Sequence, residues 1–190
     1  MESKHKLIIV TAPSGAGKTT IVRYLLQRNE TLTFSVSATT RSPRKGEKDG
    51  VDYYFLTPHE FQQKIEQHAF AEYEMVYKNK YYGTLHEKLH EIWATDKVPL
   101  VDIDVKGAKR LKEVFKQEAL SIFIQPPDFE TLKTRLKTRG TETPEMLQER
   151  LARAELEMTY QPFFDYTVIN AQLDDACEEV EGIVTEFLMA

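Results

Sequence analysis

The chain has 190 residues, of which 41% are hydrophobic, enough to bury one substantial core without help from disulfides or structural metals. Its 25 lysines and arginines against 30 aspartates and glutamates give a formal charge of -5, so net charge predicts no partnership with nucleic acid. The single Cys177 excludes an internal disulfide, and neither a signal-peptide pattern nor an apolar run of membrane-spanning length is present. These features predict a cytoplasmic protein with no membrane partner.

The first predicted strand is Leu7 to Val10, a continuous apolar run typical of a strand covered on both faces in a parallel sheet. A glycine-rich turn follows it, and then a helix whose apolar residues at 21, 22, 25 and 26 share one face. Further strands are predicted at 98–105, 119–125 and 166–170, each followed by a helical pattern, the last of which spans about 173–188. This alternation predicts an α/β fold with a mainly parallel sheet.

Two segments depart from that alternation. Residues 34–57 carry Thr, Ser, Arg, Gly and Tyr in short runs suited to antiparallel strands and turns, and we expect an insertion over about 37–89. Residues 129–156 have a helical pattern interrupted at Gly140 and Pro144. This second segment carries four arginines and is predicted to form a helical flap.

Residues 12–19, Ala-Pro-Ser-Gly-Ala-Gly-Lys-Thr, form a predicted phosphate-binding loop between the first strand and the first helix. In such a loop the glycines turn backbone N–H groups towards phosphate oxygens, Lys18 reaches the β and γ phosphates, and the Thr19 hydroxyl binds Mg²⁺. Ala12 replaces the first glycine of the usual pattern, but it is small enough for the turn. The loop predicts binding of a nucleoside triphosphate and transfer of its terminal phosphoryl group.

A second anion site is indicated by Arg41 and Arg44, three residues apart and followed by Tyr53. Two guanidinium groups and a phenol can hold one dianionic phosphate, because the arginine fork matches phosphate oxygens. The spacing alone fits a solvated basic turn equally well.

Five segments, taken in order, resemble the guanylate kinase family over about residues 5–188: Ala12–Thr19, Ser37–Arg44, Tyr81–Thr84, Asp102–Asp104 and Arg139–Thr143. The resemblance implies a P-loop NTPase-type parallel sheet flanked by helices, with an inserted mixed α/β GMP-binding domain and a helical lid. It implies core segments 1–36, 90–127 and 157–190, a GMP-binding insertion at 37–89 and a lid at 128–156. The implied activity is Mg²⁺-dependent transfer of the ATP γ-phosphoryl group to GMP and dGMP, in a monomer or homodimer.

The resemblance also assigns site residues. Those implied to bind ATP are Ala12, Pro13, Ser14, Gly15, Ala16, Gly17, Lys18, Thr19, Thr20 and Asn170. Those implied to neutralise the moving phosphoryl group are Lys18, Arg135, Arg139 and Arg150. Those implied to bind the GMP phosphate are Arg41, Arg44, Tyr53 and Tyr82, and those around guanine are Ser37, Glu72, Thr84 and Asp104. Mg²⁺ is implied at Thr19, and at Asp102 through water.

The chemistry of the base supports the guanine assignment. A carboxylate at Glu72 accepts from guanine N1–H and N2–H₂, and it repels the N1 acceptor of adenine. Taken alone, the sequence around Glu72 fits a surface charge. For Asn170 a contact with adenine and a role as a turn former both stay open, and Arg153 fits a structural role.

The chain departs from the family pattern at three positions. Residues 75–80 are one residue longer than the usual turn, which leaves Tyr81 as an alternative to Tyr82. Lys106 stands where the family has glutamine, and Ala12 is the third departure.

Rival functions have weaker support. His86-Glu-Lys-Leu-His90 matches the zinc-protease pattern, but the sequence identifies no third ligand, and a solvent-facing helix after a Tyr-Tyr-Gly turn explains it as well. A guanylate-kinase-like binding module would lose the phosphate loop, whose Lys18 and Thr19 are intact here. A related kinase acting on a phosphorylated sugar is disfavoured by Ser37, Glu72 and Asp104.

Overall fold

A computed structural model describes residues 5–77, 79–138 and 144–190. Its main sheet has five strands in the order β2-β7-β1-β8-β9, and every neighbouring pair is parallel. The strands are β1 (Leu7–Thr11), β2 (Leu32–Phe34), β7 (Val98–Asp102), β8 (Ala119–Gln125) and β9 (Tyr166–Ile169). The predicted parallel α/β sheet is confirmed. Strand β2 was not predicted, because three residues are too few to show a pattern.

Helices cover both faces of this sheet. Helices α1 (Lys18–Arg28) and α7 (Leu173–Met189) pack on one face, and α3 (His86–Trp93) and α4 (Val105–Phe115) pack on the other. The central strand β1 is fully buried, because alternate residues point in opposite directions: Ile8 and Val10 join the first core, and Leu7 and Ile9 join the second. The continuous apolar run of β1 is therefore explained by burial on two sides.

A second sheet of four strands stands apart in the order β4-β3-β6-β5. Its strands are β3 (Ala38–Thr39), β4 (Tyr54–Phe55), β5 (Phe70–Tyr77) and β6 (Lys80–Leu85), and α2 (Pro58–Glu66) packs against it through Phe61. The β5–β6 and β3–β6 pairs are antiparallel, as expected for this region, but β3 and β4 are parallel. The antiparallel expectation was wrong for that pair because the long loop between them brings the chain back in the same direction.

Two further helices, α5 (Phe129–Thr138) and α6 (Pro144–Met158), form the arginine-rich segment. They share a small core around Leu132, Leu136 and Ala154. Leu132 and Leu136 also press on the phosphate loop, where a Cβ added to Gly15 would lie 3.1 and 3.0 Å from their methyl carbons. The helix pair is thus in direct contact with the loop. In the described ranges no helix is both long and apolar enough to cross a membrane.

Candidate active site

A cavity of about 380 Å³ lies at the carboxyl ends of β1 and β7, between the phosphate loop and the second sheet. Ligands of open α/β sheets bind at this edge. Phosphate-loop residues 12–15 and 17–20 line one side of it. Predicted acceptor residues that line the other side are Ser37, Arg41, Arg44, Tyr53, Glu72, Tyr82 and Asp104. The donor loop and most of the predicted acceptor site therefore open onto one space.

The phosphate loop takes the conformation that its glycines allow. Gly15 and Gly17 have φ angles of 92° and 97°, a region that side chains disfavour, and Gly17 begins α1. The loop thereby reaches the N-terminus of a helix, where free N–H groups and the helix dipole favour a bound anion. Thr19 and Thr20 are exposed in the cavity.

Asn170 lies beneath this loop. Its Nδ2 donates to the carbonyl of Ala16 at 2.7 Å, and the residue is only 3% exposed. A side chain at Gly17 would collide with the same amide. The Asn170 amide thus supports the loop from behind, and its contact with adenine stays a prediction.

Lys18 is held at the end of β7. Its Nζ lies 2.5 Å from Asp102 Oδ1 and donates to the carbonyl of Ile103 at 2.9 Å. Asp102 and Thr19 line the same cavity, and their oxygen atoms are the ligand type that Mg²⁺ prefers. Among the described residues no group of three or more His, Cys, Asp or Glu is placed to hold a metal ion.

Arg41 is fixed by a carboxylate that sequence reasoning missed. Its Nη1 and Nη2 donate to Glu47 at 2.6 and 2.7 Å, and the Glu47 carboxylate also accepts the Arg44 backbone N–H at 2.6 Å. The Arg41 guanidinium lies 4.8 Å from the centre of the Tyr53 ring. The guanidinium, together with the Arg44 N–H, lowers the pKa of Glu47 to about 2. A glutamate in a loop rich in charges has no sequence signal that marks it out.

Tyr81 and Tyr82 lie on opposite faces of β6, as neighbouring strand residues do. The Tyr82 ring is 5.9 Å from that of Tyr53 and lines the cavity, whereas Tyr81 packs against Phe61. Near the end of this hairpin β5 is irregular at Val76, which has no partner in the register with β6. This position favours Tyr82 as the phosphate contact.

Glu72 is buried on β5, with 6% of its surface exposed. The hydroxyl of Thr84, opposite on β6, donates to its Oε1 at 2.8 Å. Asp104 caps α4 by accepting the N–H groups of Lys106 and Gly107 at 2.9 and 3.3 Å. Burial, with a smaller contribution from the Asp104 charge, raises the pKa of Glu72 to about 8. Glu72 is thus a buried carboxyl group whose Oε1 accepts the Thr84 hydroxyl, a group able to receive further donors.

Glu72 also explains a glycine on α4. A Cβ added to Gly107 would lie 2.6 Å from Glu72 Oε2, so a side chain at this helix position would displace the Glu72 carboxyl group.

The predicted lid arginines are not gathered in the cavity. Arg135 Nη2 donates to the carbonyl of Asn170 at 3.0 Å, and neither Arg135 nor Arg150 lines the cavity that the described residues form. Arg139 lies outside the described residues. Arg153 and Glu157 of α6 do line it, although sequence reasoning gave neither a site role. Their spacing of one helical turn is common on helix surfaces, so the sequence did not distinguish them.

The zinc-protease pattern falls on α3, which follows strand β6 directly and not a turn. His86 is partly buried, which lowers its pKa, and the His90 ring lies 5.3 Å from that of Trp93. In the part of the chain that the structure describes, no third ligand joins the two histidines. The helix explanation is therefore the better one.

Comparisons with known proteins agree with this geometry. The family model described as guanylate kinase matches residues 4–187. A guanylate kinase of Bacteroides thetaiotaomicron is 49% identical over 183 residues, covering 96% of this chain and 90% of the relative. One of Chlorobium chlorochromatii is 48% identical over 188 residues, covering 99% and 98%. The crystal structure of guanylate kinase from Anaplasma phagocytophilum has a TM-score of 0.79 at 28% identity, covering 100% of this chain and 89% of that one. The chain belongs to the guanylate kinase family.

Proposed function

We propose that this chain is a guanylate kinase that transfers the γ-phosphoryl group of ATP to GMP, giving ADP and GDP. The proposal is supported by one observation: the phosphate loop with Lys18 lines one side of a cavity, and Arg41 and the buried Glu72 line the other side. One side of this cavity suits a triphosphate, and the other suits a purine monophosphate.

On the donor side, backbone N–H groups of the phosphate loop and the α1 N-terminus bind the ATP phosphates. Lys18 adds a positive charge that Asp102 and the Ile103 carbonyl already orient towards the cavity. Mg²⁺, when bound, neutralises phosphate charge, and Thr19 and Asp102 are the residues that would hold it, Asp102 through water.

On the acceptor side, Arg41, Arg44, Tyr53 and Tyr82 bind the phosphate of GMP. Glu47 holds Arg41 in one orientation, and an arginine fixed in advance loses less side-chain entropy when the phosphate arrives. Arg41 is therefore oriented before the substrate binds.

Guanine is recognised by Glu72, Ser37, Thr84 and Asp104. Glu72 accepts from N1–H and N2–H₂, while Thr84 already occupies its Oε1 with one hydrogen bond. Adenine presents an acceptor where guanine presents N1–H, so it would leave a buried carboxyl group without its donors. A site of this kind discriminates by as much as ~10⁴-fold. We propose dGMP as an acceptor too, because the assigned contacts reach base and phosphate only.

Transfer itself needs alignment of the two substrates and neutralisation of charge on the moving group. Lys18 supplies part of that charge. Arg135, Arg139 and Arg150 are proposed to supply the rest when the helix pair closes over ATP. Closure would also keep water from taking the phosphoryl group.

The test is ADP release from ATP and Mg²⁺ with GMP, AMP, UMP or CMP, and with no acceptor. We expect stimulation by GMP alone, loss of activity in Lys18→Ala, and dependence on Mg²⁺. Tight ATP binding without stimulation by any nucleotide would favour a binding module or a sugar kinase instead.

A further inference from the structure

Three hydrogen bonds connect the phosphate loop to the acceptor sheet through helix α6. The Ser14 N–H donates to Glu157 Oε2 at 3.3 Å, and Arg153 Nε donates to Glu157 Oε1 at 2.7 Å. Arg153 Nη1 then donates to the carbonyl of Val76 on β5 at 3.4 Å. Both charged side chains line the cavity between the two sites. A continuous polar connection therefore joins the donor side to the acceptor side.

This pair differs from an ordinary ion pair on a helix surface. The side chain of Glu157 is 9% exposed and that of Arg153 is 29% exposed. A carboxylate buried to this degree is stable only when its oxygens are paired, and here both oxygens accept a hydrogen bond. Removing the arginine would leave Glu157 with an uncompensated charge beside an anion-binding loop. The pair is thus positioned to affect ATP binding.

The contact with β5 occurs at one of the two irregular positions of that strand. Val76 falls between Met75 and Tyr77, where the register with β6 shifts, and this leaves Val76 outside the paired residues. A bulge residue has backbone groups free of the ladder, and its carbonyl is the one that Arg153 reaches. The same strand carries Glu72, so a shift of β5 on binding guanine would act directly on Arg153.

Helix α6 is also mechanically joined to the loop. It shares a core with α5, and α5 presses on Gly15 through Leu132 and Leu136. A displacement of α6 is therefore transmitted to the phosphate loop both by packing and by Glu157. Coupling between sites travels through such contiguous networks when they have two arrangements.

We propose that Arg153 and Glu157 are positioning residues that couple the two substrate sites, so that GMP bound at β5 tightens ATP binding at the loop. By linkage, ATP tightens GMP binding by the same factor. The proposal rests on the proposed function, because it takes GMP and ATP as the two ligands. It gives a role to an arginine that touches neither substrate in the assignment above.

The experiment measures the Kd of a non-hydrolysable ATP analogue with Mg²⁺, in the absence and presence of saturating GMP, by calorimetry. In the wild-type protein we expect GMP to lower the Kd of the analogue by ~5-fold or more, which is the lower end of typical coupling between sites. In Arg153→Met we expect that ratio to fall to within about 2-fold of one, with the reciprocal ratio for GMP falling equally. Glu157→Gln should behave in the same way, and the double variant should lose no more than either single variant, since both act in one network.

The matched control is Arg28→Met. It removes another arginine–glutamate pair, Arg28 with Glu181, which joins α1 to α7 away from the cavity. It should keep the wild-type ratio. Thermal unfolding of each variant is measured first, and Arg153→Lys, which cannot span Glu157 and Val76 with a planar fork, replaces Arg153→Met if that variant is unfolded.

The possible results distinguish a failure of the coupling role from a failure of the proposed function. An unchanged coupling ratio in Arg153→Met and Glu157→Gln, or a wild-type ratio of one, would overturn the coupling role and leave the proposed function intact. A wild-type protein that binds the analogue but no GMP would overturn the proposed function and the coupling together.

Discussion

Glu72 should make GMP binding release a proton. Burial raises the pKa of its carboxyl group from the ordinary 4.5 to about 8, so at pH 7 roughly ten of eleven free protein molecules carry it protonated. Guanine N1–H and N2–H₂ are donors and require the ionised carboxylate. Binding at neutral pH therefore displaces the proton of Glu72.

The size of the effect follows from that pKa. With the carboxyl group at about 8 when free and ionised when bound, ~0.9 proton is released per GMP at pH 7. The apparent affinity should rise about tenfold from pH 6 to 7 and become level above pH 8. The affinity rises with pH because protonation of Glu72 competes with the binding of guanine.

The assay is calorimetric titration with GMP at pH 7 in buffers of different ionisation enthalpy, which yields the number of protons released. Glu72→Gln is the control, since it removes the titrating group while the GMP phosphate, with its own pKa near ~6, contributes to both proteins. The difference between the two proteins isolates Glu72. Equal proton release in both, with a wild-type affinity that does not change between pH 6 and 8, would refute this role of the carboxyl group.

The same pKa shift affects stability. A folded-state pKa raised above the unfolded value contributes stability below about pH 4.5 that is lost as pH rises through about 8. The free energy of unfolding of the wild-type protein, measured with urea, should therefore fall between pH 5 and pH 9. That of Glu72→Gln should fall less over the same range. A constant difference between the two proteins at both pH values would contradict this.

Three further predictions concern the two halves of the cavity. Glu47→Gln should weaken GMP binding by ~10-fold, about the 1.4 kcal/mol of one charge-assisted hydrogen bond. It should leave guanosine binding unchanged, because Glu47 orders Arg41 for the phosphate. Calorimetry with both ligands checks this, and tighter GMP binding would show that Glu47 competes with the phosphate for Arg41. Lys18→Ala should lower kcat by ~10²-fold or more while the fold is kept, as measured by GDP formation and circular dichroism, and near-normal turnover would count against the donor site. Asn170→Ala should cost ~1–3 kcal/mol in urea unfolding, because the Ala16 carbonyl loses its donor; an unchanged free energy of unfolding would show that the loop does not depend on it.

The features predicted correctly from the sequence are those with a local pattern. The apolar run of β1 and the glycines before Lys18 predicted the strand, loop and helix in order, because each element is specified by adjacent residues. Strand β2, with three residues, and the parallel pairing of β3 with β4 depend on neighbours far along the chain. No local pattern could reveal them.

The same distinction applies to the site. Glu47, Arg153 and Glu157 are charged residues in charged surroundings, and only the folded chain brings them to Arg41, Val76 and Ser14. Asn170 was recognised as the end of a strand, but its bond to Ala16 depends on how β9 lies beneath the loop. The assignment of Glu72 to guanine depended on the family resemblance, and its burial on β5 supplies the physical reason for selective recognition of donors.

The most direct test of the central claim is a competition in which GMP and AMP are supplied together with ATP and Mg²⁺, and the products are separated. We expect GDP and ADP in equal amounts, with kcat/KM for GMP exceeding that for AMP by ~10³–10⁴-fold. Consumption of AMP at a rate similar to that of GMP, or ADP without GDP, would contradict it.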